Sequence, residues 1–165
     1  METLLASRND VLAYPSLYTA VGEVVKLMSC SDVYKKYTIE HLERLILPAL
    51  LTARCRLFYD ETDGDLIGFL SYTILTPQSE VNFIARRGLL DWEDWMKDDT
   101  EGNLWIMDVI APFGGADYMC RESYKWMAEQ YPGRRLFFRR VAQDDRINSV
   151  MLKPQIIVPD DAVMH

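Results

Sequence analysis

Apolar residues recur at helical spacing in two stretches of the N-terminal third of the chain. The first follows Pro15, which the first turn of a helix tolerates, and ends near Ser29; its apolar positions are Leu17, Val21, Val24, Val25 and Met28. The polar residues 31–37 are predicted to form a loop or short turn. Thr38 is a candidate N-cap for a second apolar stripe, formed by Ile39, Leu42, Leu45 and Ile46. Pro48 is predicted to kink or end this second helix.

A pattern typical of strands begins after that proline. Arg56–Asp60 and Leu66–Leu75 are apolar and rich in aromatic and β-branched residues. The polar residues between them contain Asp63–Gly64, a dipeptide typical of a tight turn, so the two stretches are predicted to form a β-hairpin. A helix-like stretch around Phe83–Trp95 follows, interrupted by Gly88.

The second half of the chain alternates between strand and helix patterns. It is predicted to contain a buried strand, a glycine pair, a helix, a turn, a second strand and an edge strand: Leu104–Ile110, Gly114–Gly115, Asp117–Gln130, Tyr131–Gly133, Leu136–Val141 and Gln155–Val158. The first strand, helix and second strand are typical of a βαβ crossover, which is right-handed. The order of elements therefore predicts the α/β (α+β) class, with helices packed on a mixed sheet.

The chain is predicted to be one domain. Its 165 residues suit a single compact unit, and no internal repeat, low-complexity stretch or linker divides it. We take residues 1–165 as one domain, with residues 1–12 and 155–165 peripheral to it. The sequence leaves the oligomeric state open, with a homodimer as one alternative.

Composition narrows the class of protein. Hydrophobic residues make up 49% and charged residues 26%, and no apolar run approaches the roughly 20 residues that span a bilayer. The first ten residues are polar and do not resemble a secretory signal. Three cysteines without a CxxC pair predict neither a disulfide framework nor a metal site. A reducing, cytoplasmic location is the expectation.

Charge is distributed unevenly along the chain. The net charge of −7 argues against nucleic acid as a partner. Residues 116–153 carry eight Lys or Arg and five Asp or Glu, a net of +3, while the remainder carries ten and twenty, a net of −10. Two interpretations of the basic stretch stay open: a solvated helix and strand face, or a docking patch for an acidic partner.

One strand contains a residue that apolar strands rarely hold. Asp108 lies within the otherwise apolar Leu104–Ile110, and a buried carboxylate is costly unless it has partners. The alternative is that Asp108 faces solvent on an edge strand or caps a neighbouring turn. Downstream, Gly114 and Gly115 allow close backbone approach and free N–H groups at a helix start, which suits an anion or a carbonyl oxygen.

The same stretch carries a resemblance to a known family. Trp105–Gly114 resembles the W-x-x-D-x-I-A-P-F-G segment of the RTX toxin-activating lysine acyltransferases, the hemolysin-activating type. Gly22–Ser31 is similar to their first helix and the small-residue turn after it, and Leu47–Leu50 to their L-P-A-I segment. The resemblance extends over about residues 22–141. It implies a fold similar to the GNAT acetyltransferases, and transfer of a fatty acyl group from acyl-acyl carrier protein to internal lysines of a toxin.

The resemblance also implies site residues. Asp108 falls on the family's catalytic aspartate, and Ser31 on a serine that precedes the catalytic histidine by three. The histidine position is Tyr34 in this chain, and a family asparagine before the Leu-Pro pair is Leu45. If both act on one reacting atom, the side-chain oxygens of Tyr34 and Asp108 lie within about 10 Å. Donor-binding residues are expected to be Ser31, Gly114, Gly115, Arg139 and Arg140.

A tyrosine at this position changes the chemistry. With an ordinary pKa of about 10, roughly one tyrosine in a thousand is ionised at pH 7, a cost of about 4 kcal/mol for use as a base. As a general acid for the departing thiolate, tyrosine is better suited, and Asp108 then assists the lysine ammonium. Cys30 is less favoured as an acyl carrier than as a buried, inert cysteine, and His41 is less favoured as a displaced base than as a solvated or capping histidine. His165, on the tail, is set aside.

Two functions follow from the sequence. The first is a protein-lysine acyltransferase with a modified site, which holds no cofactor and uses acyl-acyl carrier protein or acyl-CoA as donor. The second is a binding protein that keeps the scaffold without the reaction, such as a phage or mobile-element antagonist of a host factor. The intact segment around Asp108 favours the enzyme. The acidic net charge favours the binding protein, because acyl carrier protein is itself acidic.

Overall fold

One mixed sheet organises the protein. The computed structural model describes residues 6–8, 16–86, 89–97, 101–138 and 155–156. The sheet's strands follow chain order: β1 (Ala6–Arg8), β2 (Cys55–Tyr59), β3 (Leu66–Leu75), β4 (Asn103–Ile110), β5 (Arg135–Phe138) and β6 (Gln155–Ile156). All neighbours are antiparallel except β4 and β5, which are parallel. The mixed α/β class is thus confirmed, in an arrangement consistent with the GNAT-like fold.

Helices cover both faces of the sheet. They are α1 (Ser16–Ser29), α2 (Ile39–His41), α3 (Leu47–Leu51), α4 (Pro77–Ala85), α5 (Trp92–Met96) and α6 (Ala116–Gln130). One apolar cluster joins α1, α3, α4 and α5 to Phe69, Trp105 and Met107; we call this side the α1 face. A second cluster joins α6 to Leu70 and Ile106, and we call this side the α6 face.

The second predicted helix differs from expectation at Pro48. Thr38 caps it as predicted, but the chain stays helical from Ile39 to Leu51, so Pro48 does not end the helix there. A π-helical segment, Leu42–Ile46, precedes the proline and leaves it in the first turn of α3, where its missing N–H removes no helix bond. Ile39 is 80% exposed and lies outside the apolar stripe.

The hairpin follows the prediction, and the helical segment after it begins earlier than predicted. Strand β3 has the predicted bounds, Gly64 adopts a φ of +74°, and the Asp60 N–H donates to the Asp65 carbonyl at 2.9 Å. The helix-like stretch predicted around Phe83–Trp95, with an interruption at Gly88, consists of two helices, α4 and α5. Helix α4 begins earlier because the Thr76 hydroxyl accepts the N–H of Ser79 at 3.0 Å and caps it. Gly88 lies outside the described residues.

Strand β4 is central. It lies between β3 and β5, and the β4–α6–β5 unit joins the parallel pair, as predicted. The predicted strand at 136–141 is described to Phe138, and the predicted edge strand pairs with β5 over Gln155–Ile156. Within the described ranges, no helix is both long and apolar enough to cross a membrane.

Candidate functional site

A β-bulge in β4 decides which face Asp108 occupies. Ile106 faces α6, and simple alternation along the strand places Asp108 on the same side. The pairing with β3 shifts, however: Tyr72 pairs with Ile106 while Ser71 pairs with Asp108, so Met107 is the extra residue of a bulge. Asp108 therefore lies on the α1 face, since a bulge re-aims the side chains that follow it.

Tyr34 reaches this face from the turn after α1. It opens the 3-10 turn Tyr34–Lys36 and is 9% exposed. The Ser31 hydroxyl accepts the N–H of Tyr34 at 3.3 Å, and the Ser31 carbonyl accepts the N–H of Lys35 at 3.0 Å. Ser31 therefore contributes to the site by stabilising the turn that carries Tyr34.

The two side chains meet inside the protein. The Tyr34 hydroxyl donates a hydrogen bond to Asp108 Oδ1 at 3.2 Å, and Asp108 is 2% exposed. The Asp108 N–H donates to the Ser71 hydroxyl at 3.2 Å. The predicted proximity of Tyr34 and Asp108 is confirmed, and the alternative of a solvent-facing Asp108 on an edge strand is wrong. Their catalytic roles stay predictions.

A row of aromatic rings leads away from this pair. The ring centroids of Tyr34 and Tyr37 are 4.9 Å apart, as are those of Tyr37 and His41. His41 Nδ1 accepts the N–H of Thr38 at 3.2 Å, within the capping box that starts α2. The structure therefore favours the capping role of His41 over that of a displaced base.

The remaining predicted residues are Cys30, Gly114, Gly115, Arg139 and Arg140. Cys30 is exposed, and its thiol donates to the Lys26 carbonyl at 3.5 Å. Gly114 and Gly115 follow β4 with φ values of +91° and +81°, which favour glycine, and Gly115 is the N-cap residue of α6. The Gly114 N–H donates to the Ala111 carbonyl at 3.2 Å. Arg139 and Arg140 lie outside the described residues.

The described residues offer no evident metal centre. Among them, no three His, Cys, Asp or Glu side chains come together in a way that could hold an ion. The Tyr34–Asp108 pair itself offers a hydroxyl that can give a proton and a carboxylate that can take one.

Comparison with known proteins identifies the family. The profile of the RTX toxin acyltransferase family matches residues 16–152. The chain belongs to this family. Leukotoxin-activating lysine-acyltransferase LktC serotype A11 of Mannheimia haemolytica is 30% identical over 117 residues, which cover 71% of this chain and 65% of that protein. This member of the RTX toxin acyltransferase family thus spans less than two thirds of that relative's length.

Two further relatives widen the comparison. RTX-I toxin-activating lysine-acyltransferase ApxIC of Actinobacillus pleuropneumoniae is 28% identical over 133 residues, covering 81% of this chain and 72% of that protein. An uncharacterised protein of Synechocystis, sll0720, is 28% identical over 113 residues, covering 68% of this chain and 75% of that protein. The family resemblance drawn from Trp105–Gly114 is confirmed.

Sequence reasoning missed Ser71. The signal available was a hydroxyl residue within the long apolar run Leu66–Leu75. Its importance depends on facing Asp108, and that pairing exists because of the bulge at Met107.

Proposed function

We propose that this protein transfers a fatty acyl group from acyl-acyl carrier protein to an internal lysine of a target protein, with Asp108 and Tyr34 at the reacting centre. The observation that carries the proposal is the buried 3.2 Å hydrogen bond between Tyr34 and Asp108 in a chain of an acyltransferase family. LktC and ApxIC, by their names, are toxin-activating lysine acyltransferases, which supports an RTX toxin as the class of target.

The reaction forms one bond and breaks one. A neutral lysine Nζ attacks the thioester carbonyl carbon, the new C–N bond forms, and the C–S bond breaks when the tetrahedral intermediate collapses. The nitrogen must lose a proton and the thiolate must gain one. We assign the first task to the Asp108 carboxylate and the second to the Tyr34 hydroxyl, which suits its role as an acid.

The hydrogen bond between the two groups closes the proton cycle. After the step, Asp108 holds a proton and Tyr34 lacks one. Because their oxygens are 3.2 Å apart, the proton can pass from the carboxylic acid to the phenolate and restore both groups. Tyrosine therefore acts without having to ionise beforehand, which removes the cost of about 4 kcal/mol that a tyrosine base carries at pH 7.

The donor is proposed to approach from the end of β4. The proposed donor-binding residues are Gly114 and Gly115 at that end, Ser31 in the turn after α1, and Arg139 and Arg140 in the basic stretch of residues 116–153. Complementary charge attracts an acidic carrier protein, so Arg139→Glu and Arg140→Glu are expected to weaken donor use at low salt more than at high salt. Acyl-CoA is the alternative donor. A carrier-protein donor places the reaction in the cytoplasm.

Burial favours a second candidate, a binding protein without the reaction. Asp108 is 2% exposed and Tyr34 9% exposed, so a lysine reaches the carboxylate only when side chains around the pair move aside. In a non-catalytic protein this closed pair is a structural contact. The partner then binds elsewhere on the surface.

Mass spectrometry of a target protein separates the two functions. The wild-type protein is incubated with candidate RTX toxin fragments and with acyl carrier protein loaded with chains of several lengths. A mass increase on lysine, absent with Asp108→Asn, supports the acyltransferase. If the wild type and Tyr34→His both fail with every donor while pull-downs recover a stoichiometric partner, the binding function stands instead.

A further inference from the structure

Ser71 has an unusual place in β3. Its side chain is fully buried, at 0% exposed, between Leu70 and Tyr72. A buried hydroxyl is costly unless it forms a hydrogen bond, and the Ser71 hydroxyl accepts the N–H of Asp108 at 3.2 Å. Ser71 lies at the residue where the pairing of β3 with β4 shifts.

This bond joins the bulge to the residue that follows it. A bulge disrupts the regular ladder of backbone hydrogen bonds, so neighbouring N–H groups need other acceptors. A slip of one residue moves every following side chain to the other face of the sheet. An acceptor at Ser71 that reaches the Asp108 N–H therefore stabilises the register in which Asp108 faces Tyr34.

We propose that Ser71 is a positioning residue, whose hydroxyl holds the β4 bulge in the register that presents Asp108 to the Tyr34 hydroxyl. Ser71 acts through Asp108 and takes no part in bond making. The effect on catalysis rests on the proposed acyltransferase function, whereas the effect on the geometry of Tyr34 and Asp108 does not. The two parts are therefore tested by different measurements.

The geometric part is tested by NMR of protein labelled with tyrosine carrying carbon-13 at Cζ, whose resonance responds to the hydrogen bond of the phenol. Tyr34→Phe identifies the Tyr34 signal among the nine tyrosines. Asp108→Ala removes the acceptor and gives the signal of Tyr34 without this bond. Ser71→Ala is expected to move the Tyr34 signal toward that position, and Ser71→Thr, which keeps a hydroxyl, to leave it near the wild-type position.

Ser123 provides a matched control. It is also 0% exposed, lies on α6, and its hydroxyl has no hydrogen-bond partner among the described residues. Ser123→Ala removes the same atom from an equally buried site and is expected to leave the Tyr34 signal unmoved. If Ser71→Ala does not fold, Ser71→Cys, with a weaker acceptor, is expected to shift the signal part of the way.

The catalytic part is tested by steady-state kinetics. Ser71→Ala is expected to lower kcat by about 100-fold with little change in KM for the lysine-bearing target, because misplacing a reacting group by about 1 Å has that effect. Ser71→Thr restores kcat. A Tyr34 signal that stays at its wild-type position in folded Ser71→Ala or Ser71→Cys overturns the proposal, whatever the activity. A protein that shows the NMR shift but transfers no acyl group refutes the function and leaves the positioning role intact.

Discussion

The two faces of the sheet each bury a charged group, and they hold it differently. On the α6 face, Arg56 donates to the Glu122 backbone carbonyl at 2.8 Å, and its guanidinium packs 5.4 Å from the ring centroids of Phe58 and Trp126. On the α1 face, the Asp108 carboxylate accepts from the Tyr34 hydroxyl.

The difference lies in what the partners can do. A backbone carbonyl and aromatic rings neither give nor take protons at neutral pH, so these contacts of Arg56 hold α6 on the sheet. A phenol can give up its proton and recover it, so the hydrogen bond between Tyr34 and Asp108 allows proton transfer. Burial lowers the pKa of Arg56 while the nearby Glu122 raises it, and arginine stays charged at any ordinary pH. A buried charge therefore indicates a reacting site only when its partners can exchange protons.

The largest expected effect is on acyl transfer and follows from replacing Asp108, the buried charge of the α1 face. Asp108→Asn is expected to lower acyl transfer by at least about 10³-fold, because the amide cannot take the proton of the attacking nitrogen. The free energy of unfolding in urea is expected to stay the same or rise, since the change removes a buried charge and keeps the shape. Retained transfer in the folded variant contradicts the assignment of Asp108.

Tyr34 is expected to have the next largest effect. Tyr34→Phe is expected to lower kcat by about 10²-fold, since the departing thiolate loses its acid. Tyr34→His is expected to raise activity above the wild type, because imidazole takes and gives protons near neutral pH. Rates measured by mass spectrometry on one target lysine check both, and an unchanged rate in Tyr34→Phe argues that the hydroxyl is structural.

Arg56 is expected to affect stability and not chemistry. Arg56→Ala leaves the Glu122 carbonyl without this donor and opens space beside Trp126, so it is expected to cost about 3 kcal/mol of unfolding free energy. Arg56→Met, which refills much of that space, serves as the matched control and is expected to recover most of the loss. The rate per folded molecule stays at the wild-type value in both, and a drop in that rate would connect the α6 face to the reaction.

The smallest expected effect is a loss of stability in alkali. Burial on the α1 face raises the pKa of the Cys55 thiol to about 12. In the unfolded chain this thiol ionises near pH 9, so the unfolded state loses its proton first and stability falls between about pH 9 and pH 12. The expected loss is about 1 kcal/mol at pH 10, measured by urea unfolding against Cys55→Ala. Thiol labelling at pH 8 is expected to modify the exposed Cys30 first and Cys55 last.

Much of the fold was predictable from local pattern. The hairpin, the central strand and α6 were found because apolar periodicity and turn residues agree there. Pro48 misled the prediction, because a π-helical segment changes the hydrogen-bond spacing without a distinct sequence signal. Of the site, Asp108 was singled out as a carboxylate in an apolar strand, whereas Tyr34 and the catalytic roles came from the family resemblance. Their contact did not follow from periodicity, which places Asp108 beside Ile106 on the α6 face.

Because of the bulge at Met107, the site depends on how β4 pairs with β3 as well as on which residues β4 contains. A different apolar side chain at this position leaves the pairing of Ser71 with Asp108 in place, so conservative replacement is tolerable. If the bulge straightens with Met107 retained, so that Met107 pairs with Ser71, the following three side chains move to the opposite faces. The carboxylate then points at α6, and Val109 turns toward Tyr34. Loss of Met107 instead leaves Ile106 and Asp108 adjacent, and simple alternation then keeps the carboxylate on the α1 face, so a one-residue gap here between family members is compatible with the same site.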